Sequence, residues 1–503
     1  MRKLNCNLLD EILSNKTTYL FLIVILLLSA FLRLYKLDKF LNFGYDQGKD
    51  ALAIWDLLYQ KNPFLVGPET PIEGIYRGPL YYYLVAPFYW IGKGSPVFVT
   101  AFLSWLSVGA ILLIYCLASD IYNRKVGLLA AFFYGISYEL VIFSRELSNQ
   151  NASQIFFLLA IYFLFKAIKG NRNNLICASF VFGLALQFEY ISIIFFLLTI
   201  IWAIIRDKRK FFIPNLLILT FLVFFITLVP QIIFDLRYRG ILLTSFGKFF
   251  AAERANFNLN IFDFSFVSKR IIDYYEVFFK NLFPADKTLK LFSLGVFLYS
   301  LFFYRQKIFS HGGRLMLASL VIPLFCSLFY RGFHGYIWKN YFFSLTPSFI
   351  VLFSACFYYF SKRGIVSKTF LAILLLSFLG SNKLRFESFY KTGNGISLEA
   401  QLKAIDWIYK DAGSEKFNVD VYIPQNVFYP YTYLFRWYAK NKYGREPEEK
   451  RVKLLYTLSE PNSWSPELLQ AWYRRQDGIG KITKAYSWGN ITVERRQRIK
   501  FYD

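Results

Sequence analysis

Residues 44–80, GYDQGKDALAIWDLLYQKNPFLVGPETPIEGIYRGPL, form an acidic stretch that follows the first long apolar segment of the chain, near residues 18–34. The apolar segment is long enough to cross a bilayer, so we expect the stretch to begin at the membrane edge. A carboxylate in that position can act as a general base. The acids of the stretch are Asp46, Asp50, Asp56, Glu69 and Glu73.

The composition of the chain is that of a membrane protein. Of its 503 residues, 56% are hydrophobic and 21% are aromatic, and the mean hydropathy is +0.36. A soluble fold needs less apolar sequence than this. The formal net charge of +25 indicates cytoplasmic loops and contact with anionic membrane lipids rather than with nucleic acid, for which no aromatic-basic module is present in the sequence.

Apolar segments predict about eleven transmembrane helices. The segments lie near residues 18–34, 97–118, 127–143, 152–168, 175–188, 190–205, 211–233, 289–304, 315–330, 341–360 and 365–380. Residues 175–205 could form one long helix, but two short spans place the basic residues at 166–172 and at 206–210 on the same side of the membrane. Residues 80–91 are too short to cross and predict an interfacial helix.

The basic loops predict the topology of this multi-pass protein of the cell membrane. Because Lys and Arg favour the cytoplasmic side, we expect a cytoplasmic N-terminus and an extracytoplasmic C-terminal region. The predicted outer segments are residues 36–96, 144–151, a turn near 188, 234–288 and 331–340.

The C-terminal region predicts a small α/β domain. Leu398, Leu402, Ile405 and Ile408 recur at helical spacing, and residues 431–442 predict a second helix. The segments that predict strands are 417–423, 452–458 and 482–493. We therefore expect a transmembrane domain at residues 1–381, which contains the outer catalytic loop 36–96, and an extracytoplasmic α/β domain at residues 382–503.

Short motifs in the outer segments carry a family resemblance. The motifs are Tyr45-Asp46-Gln47-Gly48-Lys49-Asp50, Gly78-Pro79-Leu80-Tyr81-Tyr82-Tyr83, Phe143-Ser144-Arg145, Pro230 with Phe234-Asp235-Leu236-Arg237, and Lys339-Asn340-Tyr341 before Thr346-Pro347. In their order and spacing they resemble the GT-C class of membrane glycosyltransferases, in particular the protein O-mannosyltransferase and lipid A aminoarabinose transferase group. The resemblance implies a GT-C fold. It also implies transfer of a sugar from a polyprenyl-phosphate donor to an extracytoplasmic glycan, lipid or protein acceptor.

Two positions depart from the pattern of that group. Its members usually have Asp-Glu at the head of the loop, whereas this chain has Asp46-Gln47. Related sequences are expected to have a histidine near the fifth turn, where this chain has Gln187-Phe188-Glu189-Tyr190, so Glu189 becomes a candidate. Because the second acid is missing, an inactive assembly subunit of the same class stays an alternative.

The chemistry of transfer from a lipid phosphate needs a base for the acceptor hydroxyl, cations for the phosphate and an apolar groove for the lipid. Asp46 is the predicted base. Alternatively, Asp46 caps a helix over residues 51–59, although Asp50 is better placed for that role. Glu73 could orient the acceptor or bind a divalent cation, or it could be a solvated loop acid.

Four basic residues are predicted to hold the donor phosphate, because guanidinium and ammonium groups bind phosphate oxygens. They are Arg77, Arg145, Arg237 and Lys339. Each could instead extend to lipid headgroups, and Arg145 and Arg237 could pair with the neighbouring Glu146 and Asp235. Further candidates for substrate binding are Gln47, Asp50, Glu189, Asp235, His334 and Tyr341, although a turn histidine is more often incidental.

No dedicated cofactor or metal motif is present in the sequence. The two histidines, His311 and His334, are far apart, and four of the five cysteines fall inside apolar segments. A divalent metal cation therefore stays an open alternative.

The expected reaction is a single inverting displacement, since no second nucleophile is evident beside Asp46 and the phosphate is the leaving group. The competing interpretation is a transporter or lipid flippase. Ionisable residues are sparse inside the predicted spans and no inverted repeat is evident, and both observations argue against it.

Overall fold

The N-terminal part of the chain is a bundle of α-helices, and a small sheet with its own helices follows it. The computed structural model describes residues 16–70, 72–253, 263–284, 286–329, 339–393, 396–425, 427–461 and 465–499. The helices before the sheet are α1 (Lys16–Leu34), α2 (Leu37–Phe40), α3 (Tyr45–Tyr59), α4 (Leu80–Ile91), α5 (Pro96–Ile121), α6 (Arg124–Ile136), α7 (Tyr138–Ser144), α8 (Asn149–Lys169), α9 (Asn174–Leu186), α10 (Ile191–Arg206), α11 (Lys208–Phe211), α12 (Pro214–Thr227), α13 (Val229–Arg237), α14 (Ile241–Glu253), α15 (Phe264–Leu282), α16 (Lys287–Phe303), α17 (Arg305–Ile308), α18 (His311–Phe329), a 3-10 helix (Lys339–Leu345), α19 (Thr346–Ser361) and α20 (Ile365–Thr392).

Several of these helices can cross a membrane, and the chain is a multi-pass membrane protein. Among the described residues, 6 helices are long and apolar enough to cross, or up to 8 if each of two bent helix pairs is one span. The segments predicted as spans at 175–188, 190–205 and 289–304 form helices of 13, 16 and 17 residues. The predicted count of eleven spans therefore stays a prediction.

Two predicted spans are broken into bent helix pairs. α12 and α13 meet at 60°, and Pro230 lies in the first turn of α13. Proline has no N–H for the preceding turn and its ring clashes with the carbonyl four residues earlier, so it breaks the helix there. α6 and α7 meet at 63° without a proline. At this break the Arg33 guanidinium donates to the Gly135 carbonyl oxygen over 2.7 Å.

The basic loops gather at one end of the bundle, at the far end of α5 from the acidic stretch. Lys166 pairs with Asp120 at 2.6 Å, and the Lys210 ammonium donates to the Ile168 carbonyl at 2.7 Å. α9 and α10 are separate helices that meet at residues 187–190, so the prediction of two helices over 175–205 is confirmed. The basic turns at 166–172 and 206–210 are neighbours, so they lie on the same side of the bundle, as predicted.

Two predicted segments differ from the structure. α3 begins at Tyr45, six residues before the expected start, so Asp46 and Asp50 lie within its first two turns. The alternative that Asp46, or the better-placed Asp50, caps the helix is wrong, because Gly44 occupies the cap position. Residues 234–288 were expected to be a loop, but their described part consists largely of α14 and α15, since both carry long apolar faces.

The C-terminal part contains the predicted small α/β unit, whose elements are α21 (Leu398–Ala412), β1 (Phe417–Tyr422), α22 (Tyr429–Leu434), a π-helical turn (Phe435–Ala439), α23 (Lys440–Tyr443), β2 (Leu454–Ser459), α24 (Pro466–Ile479), β3 (Gly480–Trp488) and β4 (Ile491–Arg498). The strand order is β1-β2-β4-β3, with β1 and β2 parallel and the other pairs antiparallel. The single strand expected at 482–493 is a hairpin, because Gly489 takes a φ of 56° that permits a tight turn. α24 was not predicted.

The small α/β unit and the acidic stretch share one hydrophobic core. Its buried residues come from α3, α4, α21, α22 and the sheet. The Tyr433 ring lies between Phe43 and Trp55, and its hydroxyl donates to the Gly94 carbonyl. α20 continues to Thr392, beyond its expected end at residue 380, and α21 follows after a short connection. The predicted division at residues 381 and 382 stays a proposal.

Candidate active site

A cavity of about 520 Å³ lies at the N-terminal end of α3, on the side of the bundle where the acidic stretch is found. Three segments line it: the first turns of α3, the part of the acidic stretch that is joined by the Glu69–Tyr76 bridge, and the turn between α7 and α8 with the start of α8. The lining residues are Tyr45, Asp46, Gln47, Lys49, Asp50, Pro68, Glu69, Thr70, Arg77, Glu146, Leu147, Ser148, Asn149 and Gln150.

Asp46 and Asp50 lie one turn apart on α3, so both reach the same side of the helix. The Asp46 side chain is exposed in the cavity, and no described residue forms an ion pair or hydrogen bond with its carboxylate. Asp50 is buried and accepts a hydrogen bond from the Tyr82 hydroxyl over 3.1 Å. Burial raises the pKa of Asp50 to about 7, while Tyr82 acts in the opposite direction and the nearby Asp46 adds repulsion.

Gln47 closes the start of α3. The Gly44 N–H donates to its side-chain oxygen over 3.1 Å, which satisfies one of the free N–H groups at the helix end. Gln47 also lines the cavity, so its remaining N–H groups can face a substrate. A glutamate at this position could accept the same hydrogen bond, and the amide in this chain therefore preserves the local structure without adding a charge.

Arg77 is the most enclosed cation of the cavity. Its guanidinium donates to the Glu69 carbonyl at 3.1 Å and forms an ion pair with Glu189 at 3.5 Å. Its Nε has no partner among the described residues. Lys49 binds the same residue as Arg77, because it pairs with the Glu69 carboxylate at 3.3 Å. Glu189 does not line the cavity, and its position behind Arg77 makes it a support for that residue.

Backbone hydrogen bonds fix Arg77 in place. Residues 67–78 fold back on themselves, since Gly67 donates to the Arg77 carbonyl and Arg77 donates to the Pro68 carbonyl. The same segment is tied to the turn between α9 and α10, because the Gly78 N–H and the Leu80 N–H both donate to Gln187 oxygens, over 3.0 and 3.1 Å. A side chain at Gly78 would collide with Gln187 at 2.5 Å, so only glycine permits this approach.

The turn at residues 146–150 supplies the acid that the sequence analysis missed. The Glu146 side chain is exposed to the cavity, but the surrounding protein leaves little bulk water near its carboxylate. This desolvation raises the pKa of Glu146 to about 7, and repulsion from Glu139 acts in the same direction. The Asn151 side chain holds the Glu146 carbonyl at 3.0 Å. Glu146 follows the Phe143-Ser144-Arg145 motif directly, and that motif was the available signal.

A second cavity, of about 270 Å³, shares Glu146 with the first. It lies between α7, α15 and the 3-10 helix. Two of its acids are paired with lysines, Glu139 with Lys280 at 3.3 Å and Glu276 with Lys290 at 3.2 Å. Glu146 therefore lies where two polar cavities meet.

Besides Glu189, four described site candidates lie outside these cavities, and three of them are on the protein surface or cap a helix. Glu73 is exposed in a turn of the acidic stretch. The Asp235 carboxylate accepts from the Leu242 N–H over 2.7 Å and so caps α14. Arg237 is exposed, and its guanidinium lies 5.9 Å from the ring centre of the neighbouring Tyr238. The described contacts contain no ion pair between Arg237 and Asp235.

Arg145 is buried but points away from the cavity. Its guanidinium donates to the carbonyls of Leu32 and Lys36, at 3.3 and 3.2 Å, and to the Tyr390 hydroxyl at 3.0 Å. These contacts join the end of α1 to the end of α20. Among the described contacts Arg145 forms no ion pair with Glu146. It binds neutral carbonyl and hydroxyl oxygens instead.

The remaining candidates have no described side chains. Lys339 and Tyr341 lie in the 3-10 helix, and only their backbone is described. His334 lies outside the described residues.

The described residues contain no group of three or more His, Cys, Asp and Glu side chains arranged to hold a metal ion. Two cations of the cavity are instead each paired with one acid, Lys49 with Glu69, which lines the cavity, and Arg77 with Glu189, which lies behind it. The chemistry available in the cavity is therefore a free carboxylate at Asp46 and an enclosed guanidinium at Arg77. These groups can accept a proton and bind an anion, respectively.

Comparisons with known proteins bear on the family and the fold of the chain. The family model for dolichyl-phosphate-mannose-protein mannosyltransferases matches residues 76–234. No curated protein matches the sequence. The structure of ArnT from Cupriavidus metallidurans bound to undecaprenyl phosphate has a TM-score of 0.61 at 10% identity, over 96% of this chain and 98% of that chain. The oligosaccharyltransferase AglB from Archaeoglobus fulgidus, in complex with an inhibitory peptide and a dolichol-phosphate, has a TM-score of 0.52 at 14% identity, over 88% of this chain and 69% of that chain.

The resemblance carried by the sequence motifs is thus confirmed at the level of the fold. The matched family segment begins at Tyr76, beside the cation that lines the cavity, and ends at Phe234. The chain has the fold of the GT-C membrane glycosyltransferases, and residues 76–234 are similar to dolichyl-phosphate-mannose-protein mannosyltransferases.

Proposed function

We propose that this chain is a glycosyltransferase that moves a sugar from a polyprenyl-phosphate donor to an acceptor on the extracytoplasmic face. The observation that carries the proposal is that one cavity contains both a free carboxylate, Asp46, and an enclosed cation, Arg77. The family match over residues 76–234 and the lipid phosphates bound by the two structural neighbours support the choice of donor.

Asp46 is the general base of the proposed reaction. Its carboxylate is exposed in the cavity, and no described ion pair competes for it. Asp50, one turn away, is buried and bonded to Tyr82, so it is poorly placed to meet an acceptor. Glu146, which lines the cavity from the turn between α7 and α8, is available to orient hydroxyl groups.

Arg77 binds the departing phosphate. A guanidinium in an enclosed site forms strong bonds to phosphate oxygens, since little water competes. Glu189 lies behind Arg77 and keeps the guanidinium oriented towards the cavity. Lys49, partly exposed and paired with Glu69, can add a second positive charge when the phosphate enters.

The proposed step is a single displacement with inversion. The Asp46 carboxylate takes the proton of the acceptor hydroxyl, and the acceptor oxygen forms a bond to the anomeric carbon. The bond from that carbon to the phosphate oxygen breaks, and its electron pair remains on the lipid phosphate, where Arg77 stabilises the charge. Protonated Asp46 then loses its proton to water.

The basic loops support an orientation for the chain. The turns at 120–125, 166–172 and 206–210 gather at one end of the bundle, and by the positive-inside rule we assign that end to the cytoplasm. The cavity and the α/β unit then face the extracytoplasmic side. The acceptor is a glycan, lipid or protein present there.

The proposal is tested by transfer of radiolabelled sugar from a panel of polyprenyl-phosphate donors to membrane acceptors. Asp46→Asn is compared with the wild type at matched expression, and Glu73→Gln is the matched control, since Glu73 is an acid of the same stretch outside the cavity. Loss of a general base lowers the rate on the order of a hundredfold or more. We expect that loss in Asp46→Asn and less than about a twofold change in Glu73→Gln.

Three results would contradict parts of the proposal. Equal rates in Asp46→Asn and the wild type would exclude Asp46 as the base. A product that retains the anomeric configuration of the donor, determined by NMR, would exclude the single displacement. Absence of transfer in the wild type with every donor, together with lipid movement in reconstituted vesicles, would favour a flippase.

A further inference from the structure

An apolar groove of about 470 Å³ lies between α1 and α20, at the end of the bundle that carries the candidate site. Its walls are formed by Leu28, Leu32, Ile136, Leu379 and Phe386. Both helices lie at the edge of the bundle, since only 22% of the apolar window of α1 and 28% of that of α20 are buried. The groove therefore faces the hydrocarbon of the bilayer.

The groove descends from the membrane surface. α1 ends at Leu34, so Leu28 lies about 9 Å deeper along the helix at 1.5 Å per residue. Tyr35 and Tyr390 lie at the shallow end, where aromatic side chains with a polar tip are favoured at the interface. The shape matches an acyl chain that enters from the headgroup region and extends towards the bilayer centre.

The mouth of the groove is positively charged. Lys391 lines its shallow end beside Tyr390, and the Lys36 ammonium lies over the Tyr35 ring at 5.2 Å. Lys383 lines the groove two turns deeper on α20, and its long side chain can extend towards the membrane surface. Glu387 is the only acid that lines the groove among the described residues, and its contact with Lys383 is long, at 3.8 Å, with both side chains well exposed. Among the residues that line the groove, two lysines against one glutamate leave an excess of positive charge.

We propose that this groove binds an anionic phospholipid, with one acyl chain between α1 and α20 and the headgroup at Lys383 and Lys391. The occupant differs from the proposed donor lipid, because none of the groove residues lines either cavity of the candidate site. Arg145 separates the two regions, and its guanidinium is bonded to Leu32, Lys36 and Tyr390. The inference is independent of the proposed transferase activity.

The test is lipid binding to the purified full chain in detergent, measured by native mass spectrometry. Phosphatidylglycerol and phosphatidylcholine with identical acyl chains are compared. Each lysine near the membrane surface contributes about fivefold to binding of an anionic lipid. We expect the wild type to prefer phosphatidylglycerol by at least about tenfold, and Lys383→Gln with Lys391→Gln to lose that preference.

Two further variants separate the charge and the groove. Lys362→Gln with Lys368→Gln removes the same charge near the opposite end of α20 and should leave the preference intact. Leu32→Trp fills the groove and should weaken binding of both lipids, with thermal unfolding as the check that the variant is folded. Equal binding of the two lipids by the wild type would overturn the proposal. It would also be overturned if polyprenyl phosphate displaced phosphatidylglycerol from the wild type and itself failed to bind the Leu32→Trp variant, because the groove would then hold the donor lipid.

Discussion

The Tyr82 hydroxyl donates to the Asp50 carboxylate over 3.1 Å, inside the packing between α3 and α4. This hydrogen bond offsets only part of the cost of burying a charge, because the pKa of Asp50 is still raised to about 7. α3 therefore presents two different carboxyl groups one turn apart. Asp46 is open to the cavity, whereas Asp50 titrates near neutral pH.

The first prediction is that Asp50→Asn stabilises the protein in a pH-dependent way. The folded state holds the Asp50 proton more tightly than the unfolded state, so wild-type stability falls as the pH rises from about 4 to about 7. An asparagine does not titrate and can still accept from Tyr82. Its advantage should grow over this range to at most about 4 kcal/mol and stay constant above it, which thermal unfolding between pH 4 and 8 measures.

Tyr82→Phe is the complementary variant. It removes the hydrogen bond that lowers the pKa of Asp50, so the range over which the wild-type stability falls should extend to higher pH. A difference between Asp50→Asn and the wild type that does not depend on pH would contradict the prediction.

The second prediction concerns the ion pair between Arg77 and Glu189. Their side chains are only 11% and 6% exposed, so removal of either partner leaves a nearly buried charge uncompensated. Arg77→Gln and Glu189→Gln should each destabilise the protein by roughly 3 kcal/mol, and the double variant by clearly less than the sum. Thermal unfolding of the three variants measures this coupling.

The same variants separate anion binding from support. Arg77→Gln should raise the donor KM at least about tenfold, because a charge-assisted bond to phosphate is lost. Glu189→Gln keeps the guanidinium and should raise the donor KM less. Arg237→Gln is the control, since Arg237 is exposed outside the cavity, and an equal rise in donor KM for this variant would exclude the special role of Arg77.

The sequence predicted the features that depend on local patterns. The bounds of α4, the separation of α9 from α10 and the start of α21 agree with the structure, because apolar periodicity and turn residues determine them. The start of α3 was predicted too late. Gly44 is the N-cap, and the Gln47 side chain at the third helical position accepts from the Gly44 N–H, which is the half of a capping box that a glycine N-cap still permits.

The candidate site was predicted only where its residues lie close together in sequence. Asp46 and Arg77 were identified and line one cavity, as motif order indicated. The orientation of Arg145 depends on Tyr390, which is distant in sequence, and no local pattern predicts such a contact. The position of Glu146 between two cavities likewise depends on α15, which was expected to be part of a loop.

The third prediction is that Gly48→Ala disturbs the site through the α/β unit. A Cβ at Gly48 would lie 2.4 Å from the backbone nitrogen of Pro430, so α3 and α22 must move apart. Such overpacking costs typically about 1–3 kcal/mol. We expect a lower midpoint of thermal unfolding and at least about tenfold slower transfer, since Asp46 is on the displaced helix.

Gly478→Ala is the matched control for this prediction. Gly478 lies in α24, and an added Cβ there meets nothing within 4 Å. Alanine favours the helix over glycine by up to about 1 kcal/mol, so this variant should be neutral or slightly stabilised. A Gly48→Ala protein with unchanged stability and transfer rate would contradict the prediction, because it would show that Pro430 can move away from the added methyl group without displacing α3.

The last prediction concerns Arg33, a fully buried arginine near the end of α1. Its guanidinium donates to the Ser107 hydroxyl at 3.1 Å and to the Gly135 carbonyl at 2.7 Å. Loss of these hydrogen bonds lowers the free energy of unfolding by about 1–3 kcal/mol for each group left unpaired. Removal of the charge from the membrane raises it by about 2.5–3.5 kcal/mol. The two effects nearly cancel, so stability is not the property that Arg33 should control.

Arg33 should instead control the bend between α6 and α7, because the Gly135 carbonyl lies at that break and α7 leads to Glu146. We expect Arg33→Met to transfer sugar at least about tenfold more slowly, while the midpoint of thermal unfolding changes by less than about 4 °C. Arg33→Lys retains one donor that can reach Gly135 and should recover part of the rate. Full activity in Arg33→Met, or a rate loss matched by a large loss of stability in both variants, would leave Arg33 with no role in positioning the site.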